Sequence, residues 1–247
     1  FLVSQLTRQH VTVALSGDGG DELFCGYNRY LWAPPLWKKF AKLSKSFRTL
    51  SSDLLTSLSV ENWNYLYKLG EPIIPQQWRM QSPGRNAHRL AHVLKCSNER
   101  ELYRNLVSHW DPSDQLLLRG NEPLTRLTQT SQPNCKSFTE WMMAQDLVTY
   151  LPDDILTKVD RASMAVSLEV RVPLLDHRVV EFAWSLPLEW KLGQRTGKQI
   201  LRDVLYRHVP RNLIERPKMG FGIPLDCWLR HDLRDWAEDL LDERKIT

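Results

Sequence analysis

The sequence contains few cysteines, and their arrangement points neither to a metal nor to a cross-link. The four cysteines, none in a CxxC pair or at a His/Cys ligand spacing, are Cys25, Cys96, Cys135 and Cys227. This distribution argues against structural zinc and against a disulfide framework. We therefore expect reduced thiols and a cytoplasmic protein.

Long apolar runs are absent as well. No stretch approaches the roughly 20 apolar residues of a membrane span, and the first residues lack the basic-then-apolar pattern of a secretory signal. Internal repeats and low-complexity tracts are also missing. The sequence therefore predicts no membrane partner.

A concentrated basic surface is the third feature that the sequence lacks. The chain has 33 basic and 29 acidic residues, and the two signs are interleaved along its 247 positions. A protein that binds nucleic acid would cluster its positive charge on one face, so we predict no nucleic-acid partner. With 42% hydrophobic residues, the chain can bury the core of about one domain.

Strand patterns are rare, whereas helical periodicity is common. Residues 11–15 form the one convincing strand. Pro34 and Pro35 are expected to interrupt helical sequence, and residues 51–69 favour one or two further helices. Residues 120–137 have the weakest pattern and predict a mobile loop. We therefore predict a mainly α chain with a remnant of an α/β parallel sheet.

Residues 37–48, WKKFAKLSKSFR, combine apolar residues at helical spacing with lysines on the other face. Charge runs of this kind are usually solvated, so we predict an amphipathic helix that packs on the core. The alternative is an interfacial or partner-binding helix.

The most informative stretch, residues 11–30, reads VTVALSGDGGDELFCGYNRY. Its strand ends in a cluster of small and acidic residues: Ser16, Gly17, Asp18, Gly19, Gly20, Asp21 and Glu22. The glycines permit positive φ and close approach of the backbone to a ligand, and a helix start favours anions. The three acids are hard oxygen ligands suited to a Mg²⁺ that also holds phosphate oxygens. The alternative is a glycine-rich turn whose acids cap the helix.

A second block covers residues 139–188. Pro152 is expected to stop one helix, a second helix should follow over residues 154–170, and Asp176 can cap a third. Charged residues alternate here with apolar ones: Lys158, Asp160, Arg161, Glu169, Arg171 and Asp176. This alternation predicts buried or half-buried ion pairs between helices, which fix geometry without adding much net stability.

A third block covers residues 197–229. GKQILRDVLYRHVP predicts an amphipathic helix ended by Pro210, and RPKMGFG follows it. Lys218 lies in this glycine-flexible, partly apolar loop. Taken alone, it is most simply a surface lysine.

Together the three blocks resemble the synthetase domain of glutamine-dependent asparagine synthetases. SGDGGDELFCGY is similar to the family signature, KVDRASMAVSLEVRVPLLD to its helical segment, and RPKMGFG to its lysine loop. The resemblance implies the C-terminal portion of an adenine-nucleotide α-hydrolase-like (PP-loop ATPase) domain. It also implies that ATP converts the aspartate side chain to an acyl-adenylate, which ammonia from glutamine then converts to the amide.

The resemblance assigns roles to single residues. Asp21 would hold Mg²⁺ on the phosphates, while Lys218 would stabilise negative charge during adenylation. Asp18 occupies the acidic position used in substrate binding or in removing a proton from the attacking ammonia. Residues expected to line the ATP and substrate site are Ser16, Gly17 and Gly19. Residues expected to shape the pocket are Asp160, Arg161, Glu169, Arg171 and Asp176.

Departures from the family pattern are also informative. The nucleophilic cysteine of the glutaminase domain and the SGGxDS pyrophosphate loop are both missing, so residues 1–247 are expected to be a C-terminal fragment, inactive alone. Its partners would be the glutaminase domain of the full-length chain and, through an unpaired strand edge, a second copy in a homodimer. Cys25 replaces a common glycine and is strained if its φ is positive.

Two other functions fit the same residues. The domain could amidate a sugar acid or close a β-lactam ring, which are related reactions of an activated carboxylate. A helical interaction module that has lost its chemistry is the alternative outside the enzymes.

Overall fold

The computed structural model describes residues 1–71, 82–108, 125–127, 135–193, 196–215 and 224–246. The chain divides into two compact units, Phe1–Asp203 and Val204–Thr247. Lys218 and most of the segment 120–137 lie outside the described residues, so the predictions for them remain predictions.

The first unit is mostly helical, as predicted. Its helices are α1 (Leu2–Arg8), α2 (Gly20–Leu23), α3 (Asn28–Phe40), α4 (Lys45–Thr56), α5 (Val60–Gly70), α6 (Pro83–Lys95), α7 (Glu99–Val107), α8 (Phe138–Val148), α9 (Thr157–Met164), α10 (His177–Ser185), α11 (Leu188–Lys191) and α12 (Gln199–Leu205), whose last residues belong to the second unit. A π-helical segment, Leu151–Leu156, precedes α9, and a 3₁₀ turn, Pro173–Leu175, precedes α10. No helix in the described part of the chain is long and apolar enough to cross a membrane.

The two strands found among the described residues form a small parallel sheet. Strand β1 (Val13–Leu15) pairs with β2 (Glu169–Arg171), with Ala14 opposite Val170. Strand β2 corrects the sequence interpretation, which continued a helix through this segment. Helix α9 ends at Met164, and Ser167 then takes a positive φ of 57°, which turns the chain toward β1. Pairing across the sheet therefore overrides the local helical pattern.

Helix α3 runs through both prolines, so the predicted interruption at Pro34 and Pro35 is wrong. Proline has a helical φ, and its cost within a helix comes from the missing N–H and from contact with the preceding turn. One face of α3, with Tyr30, Ala33 and Trp37, is buried in the core. This burial holds the helix together despite the two prolines.

Two clusters of buried side chains form the core of the first unit. The larger cluster joins α3, α6, α7 and α8 through residues that include Tyr30, Trp37, Leu102, Tyr103, Trp141, Met142 and Met143. The smaller cluster contains Leu23, Phe24 and Ala183, with Ile200 and Leu201 packed against it. Cys25 belongs to the first cluster and Phe24 to the second. The segment between α2 and α3 is therefore fixed by both.

The second unit consists of short helices in its described part. They are α13 (Arg211–Ile214), α14 (Leu225–Arg230), α15 (Arg234–Leu240) and α16 (Glu243–Ile246). Tyr206 donates its hydroxyl to Glu215 Oε1 at 2.8 Å, and the Arg211 guanidinium lies 4.6 Å from the centre of the Tyr206 ring. These contacts order the segment that leads into α13.

Candidate functional site

The candidate site is the loop of residues 16–26, which leaves the carboxyl end of β1 and is called here the site loop. Ser16 continues the sheet, because its N–H donates to Arg171 O at 2.9 Å. Its hydroxyl donates to Asp18 Oδ2 at 2.5 Å. A Cβ built on Gly17 would meet no atom within 4 Å. The site loop therefore brings Ser16, Gly17 and Asp18 together at the sheet edge where parallel α/β proteins bind ligands.

Gly19 joins the site loop to the second sequence block. It has a left-handed φ of 81°, and a Cβ at this position would lie 2.4 Å from Leu175 Cδ2. Glycine is thus required both by the backbone and by the 3₁₀ turn that packs against it. The helix that follows, α2, has only four residues, so the sequence interpretation overstated its capacity to attract anions.

Asp21 forms an ion pair with Lys198, whose role the sequence interpretation missed. Lys198 Nζ lies 3.0 Å from Asp21 Oδ1, and both side chains are about one-third exposed, at 31% and 35%. The Lys198 N–H donates to Phe24 O at 2.8 Å. A Cβ on Gly197 would lie 1.7 Å from Cys25 O, so glycine there permits the close approach. The Gly197-Lys198 pair ahead of α12 was the available sequence signal.

The three acids of the site loop do not form one ligand set. Glu22 is buried, at 1% exposure, and accepts a hydrogen bond from Tyr27 OH at 2.6 Å. Burial raises the pKa of Glu22 above its usual value. The interpretation of Glu22 as a Mg²⁺ ligand is therefore wrong.

Asp18 and Asp21 remain the candidate metal-binding side chains. Within the described residues, no group of three or more His, Cys, Asp or Glu side chains is placed to hold a metal. A pair of partly exposed carboxylates suits Mg²⁺, which takes most of its ligands from water and phosphate oxygens rather than from a protein cage. The residues present fit that ion only together with a phosphate-bearing ligand.

Behind the site loop lies a buried polar network that sequence reasoning also missed. Asp146 of α8 is fully buried and accepts hydrogen bonds from the Tyr30 and Tyr103 hydroxyls, the latter at 2.7 Å. The Arg29 guanidinium pairs with Asp146 and lies 4.1 Å from the centre of the Tyr27 ring. Tyr27 in turn binds Glu22, so the network runs from α8 to the site loop. Its only sequence signal is an acid inside the apolar helix FTEWMMAQDLV.

Within the described residues, the charges of the second block form no buried pairs between helices, so that expectation is wrong. Arg171 Nε lies 2.7 Å from Glu169 Oε1 on the same strand, with both side chains more than half exposed, at 64% and 56%. Asp160 and Arg161 are exposed on α9 and form no ion pair within the described part of the chain. Such exposed pairs add little stability.

Asp176 caps α10, as predicted. Its carboxylate accepts a hydrogen bond from the Arg178 N–H at 3.0 Å and pairs with the Arg178 guanidinium at 2.9 Å. These hydrogen bonds hold the pKa of Asp176 well below its usual range. Asp176 therefore fixes the start of α10 close to the turn that contacts Gly19.

Cys25 has the positive φ that the sequence analysis named as the condition for strain. Its φ is 59°, and its side chain is fully buried. The thiol lies 3.1 Å from Met143 Sδ, and burial raises its pKa to about 12. Cys25 is consequently a packed, unreactive thiol at neutral pH rather than a nucleophile.

Comparison with known proteins identifies the family of the chain. The sequence model of the asparagine synthase family matches residues 1–247. A provisionally named glutamine-hydrolyzing asparagine synthetase of Mycobacterium tuberculosis is 34% identical over 243 residues, which cover 96% of this chain and 34% of that protein. The glutamine-hydrolyzing asparagine synthetase 1 of Bacillus subtilis is 30% identical over 245 residues, covering 98% of this chain and 35% of that protein.

The chain thus spans about a third of the length of the curated relatives that it matches. No solved structure matches it significantly.

Proposed function

The chain belongs to the asparagine synthase family, and from this we propose that it forms the C-terminal part of the synthetase domain of a glutamine-hydrolysing asparagine synthetase, a carbon–nitrogen ligase. The proposed domain is of the PP-loop ATPase class. Its substrates would be ATP, aspartate and ammonia derived from glutamine, and its location the cytoplasm.

In the proposed reaction, an oxygen of the aspartate side-chain carboxylate attacks the α-phosphorus of ATP. Pyrophosphate leaves, and a β-aspartyl-adenylate forms. Ammonia then attacks the acyl carbon, AMP leaves, and a proton passes from the nitrogen to a base. The product is asparagine.

The observation that carries this proposal is the grouping of Ser16, Asp18, Asp21 and Lys198 at the carboxyl end of β1. The Ser16 hydroxyl holds Asp18 Oδ2 at 2.5 Å, and no described residue donates to the other carboxylate oxygen. Asp18 can therefore accept a proton from the attacking ammonia, or bind the substrate amine, through that oxygen. Ser16 and Gly17 offer an open edge for the adenylate, since a Cβ built on Gly17 would meet no atom within 4 Å outside its chain neighbours.

Asp21 and Lys198 supply opposite charges for the phosphate end of ATP. Mg²⁺, when bound, would neutralise phosphate charge, and Asp21 is the residue that would hold it. Lys198 balances the Asp21 carboxylate at 3.0 Å in the structure described here. Its ammonium can exchange this carboxylate for a phosphate oxygen, since a lysine is a compact charge on a flexible stem. Lys218 would add a second positive charge.

The rest of the proposed enzyme belongs to the complete gene product. Because the chain spans about a third of its relatives, we assign the glutaminase domain and the pyrophosphate loop to the other two thirds. Residues 1–247 alone should then lack aspartate-dependent pyrophosphate release. Among the described residues, β1 pairs only with β2, and its other edge is the proposed basis of self-association.

The proposal is tested with the complete gene product by measuring pyrophosphate release and amide formation with aspartate, with a sugar acid and without an acceptor. We expect release that depends on aspartate, and its loss in Asp18→Asn. Asp239→Asn, which alters an exposed aspartate of α15, is the matched control and should retain activity. Pyrophosphate release that depends on the sugar acid would show that the sugar acid, rather than aspartate, is the acceptor substrate. An absence of release with every acceptor would favour the non-catalytic module.

A further inference from the structure

The turn that joins α2 to α3 is closed by a hydrogen bond between two side chains. Tyr27 OH donates to Glu22 Oε1 at 2.6 Å. Within the same turn, the Gly26 N–H donates to Asp21 O at 2.8 Å. The Tyr27 and Glu22 side chains therefore hold α2, which carries Asp21, against the start of α3.

The Asp21 carboxylate lies directly over Gly26. A Cβ built on Gly26 would be 1.8 Å from Asp21 Oδ1 and 2.3 Å from Lys198 Cε. The same carboxylate oxygen lies 3.0 Å from Lys198 Nζ. The direction of the Asp21 side chain thus depends on how closely Gly26 approaches α2, and the hydrogen bond between Tyr27 and Glu22 closes that approach.

Aromatic and cationic groups fix the Tyr27 ring. The Arg29 guanidinium lies 4.1 Å from the centre of this ring, and the rings of Tyr30 and Tyr150 meet it edge to face at 5.6 Å and 5.8 Å. Both kinds of contact are favourable and depend on orientation. Arg29 is itself paired with Asp146, whose side chain is fully buried. The interior of the first unit therefore sets the position of the Tyr27 hydroxyl.

Three tyrosine hydroxyls of this network donate to buried carboxyl groups, but they support different parts of the molecule. Those of Tyr30 and Tyr103 both donate to Asp146 on α8. Among the three, the hydroxyl of Tyr27 is the one that reaches the site loop, at Glu22. Loss of the Tyr27 hydroxyl should therefore alter the site loop, whereas loss of the Tyr103 hydroxyl should alter the core.

We propose that Tyr27 is a positioning residue of the synthetase site. It holds the site loop on the Arg29–Asp146 pair and so fixes the direction of Asp21 toward the phosphate end of ATP. This inference rests on the function proposed above. A functional side chain must be held within about 0.5 Å of its productive geometry by neighbours that are themselves fixed by packing and hydrogen bonds. A misplacement of about 1 Å can slow a reaction about a hundredfold.

The test compares Tyr27→Phe with Tyr103→Phe in the complete gene product. Each variant keeps its ring and removes one hydroxyl that donates to a buried carboxyl group, so the two losses of stability should be comparable. Amide hydrogen exchange then locates the change. Residues 20–26, whose N–H groups donate within the site loop, should exchange about tenfold faster in Tyr27→Phe, as expected for one lost hydrogen bond. In Tyr103→Phe their exchange should be unchanged.

Pyrophosphate release gives the second readout. Tyr27→Phe should lower kcat about tenfold or more, because Asp21 is misplaced. The KM for aspartate should change little, since the lost hydroxyl contacts neither substrate in the proposed site. Tyr103→Phe is the matched control and should keep a kcat close to that of the parent.

Three results would overturn the proposal. They are unchanged exchange over residues 20–26 in Tyr27→Phe, a kcat of Tyr27→Phe close to that of the parent, and equal losses of kcat in Tyr27→Phe and Tyr103→Phe. If the parent itself releases no pyrophosphate with any acceptor, the proposed function fails. Hydrogen exchange then still decides whether Tyr27 fixes the site loop.

Discussion

Arg29 and Asp146 form a buried ion pair that joins the first turn of α3 to the end of α8. Arg29 Nε donates to Asp146 Oδ2 at 3.2 Å, and Nη2 lies 2.8 Å from Oδ1 outside hydrogen-bonding geometry. The Asp146 side chain is fully buried and that of Arg29 is 20% exposed. Removing one partner would leave the other charge in a poorly solvated position, which is more costly than losing the pair as a whole.

Asp146→Asn should lower the free energy of unfolding by about 3–5 kcal/mol, because Arg29 would keep its charge and the Tyr30 and Tyr103 hydroxyls would lose a charged acceptor. Urea denaturation at neutral pH measures this loss. Glu169→Gln, which breaks an exposed pair with Arg171, is the control and should cost less than about 1 kcal/mol. Equal losses in the two variants would show that the Asp146 network does not stabilise the fold.

Glu22 makes stability depend on pH. Burial raises its pKa in the folded chain above the ordinary value of 4.5. The folded state therefore holds this proton more tightly than the unfolded state, and the resulting stability is complete below pH 4.5 and lost as the pH rises through the raised pKa. Glu22→Gln keeps a neutral partner for Tyr27 and should not lose this stability.

The free energy of unfolding of Glu22→Gln, relative to that of the parent, should therefore increase from about pH 4 to about pH 7. Parallel urea titrations of both proteins across this range give the difference directly. If the difference in free energy is constant or falls with pH, the hydrogen bond from Tyr27 rather than burial determines the pKa of Glu22.

At most positions an alanine variant is more stable than a glycine variant, and Cys25 should be an exception. Its φ of 59° disfavours any residue with a Cβ by about 1–2 kcal/mol. Both Cys25→Gly and Cys25→Ala lose the packing of the thiol, but the glycine variant should be more stable by about 1 kcal/mol. Chemical denaturation of the pair is the measurement.

Cys96 is the matched control for Cys25, because it is equally buried and has a φ of −58°. There the alanine variant should be the more stable one. The same ranking at both positions would show that the backbone at Cys25 is not strained.

Lys218→Ala should slow synthesis by the complete enzyme about a hundredfold or more, if Lys218 neutralises charge that grows as pyrophosphate leaves. Glutamine hydrolysis in the same preparation should persist. Lys218→Arg should rescue poorly, since a planar guanidinium does not replace a compact ammonium. A synthesis rate close to that of the parent enzyme would show that Lys218 is an ordinary loop lysine. Loss of synthesis and glutamine hydrolysis together, caused by unfolding, would also contradict the catalytic role.

Local patterns predicted much of the fold. The strand that contains Val13, a helix that begins close to Asp21, and the third helix with its cap at Asp176 all follow from short-range rules and are confirmed. The errors arose where distant contacts decide the structure. Residues 169–171 become a strand because β1 is available for pairing, and α3 continues through Pro34 because its buried face holds it in place.

The candidate site was less predictable than the fold. The loop motif drew attention to Ser16, Asp18 and Asp21, but Lys198 reaches Asp21 only because Gly197 passes close to Cys25 O. Glu22 is of a residue type that commonly binds metal ions, but only the fold shows that it is buried beside Tyr27. A sequence pattern reports which groups are available, whereas their solvation depends on packing.

The parallel pairing of β1 with β2 also sets the order in which the chain acquires its structure. Val13 meets Glu169 roughly 150 residues later in the sequence, and contacts of such separation form late because chain entropy must be lost before they are made. During synthesis, the site loop emerges from the ribosome long before the strand that fixes its first residue. Ser16, whose N–H binds Arg171, consequently takes its final conformation only after most of the first unit has been translated.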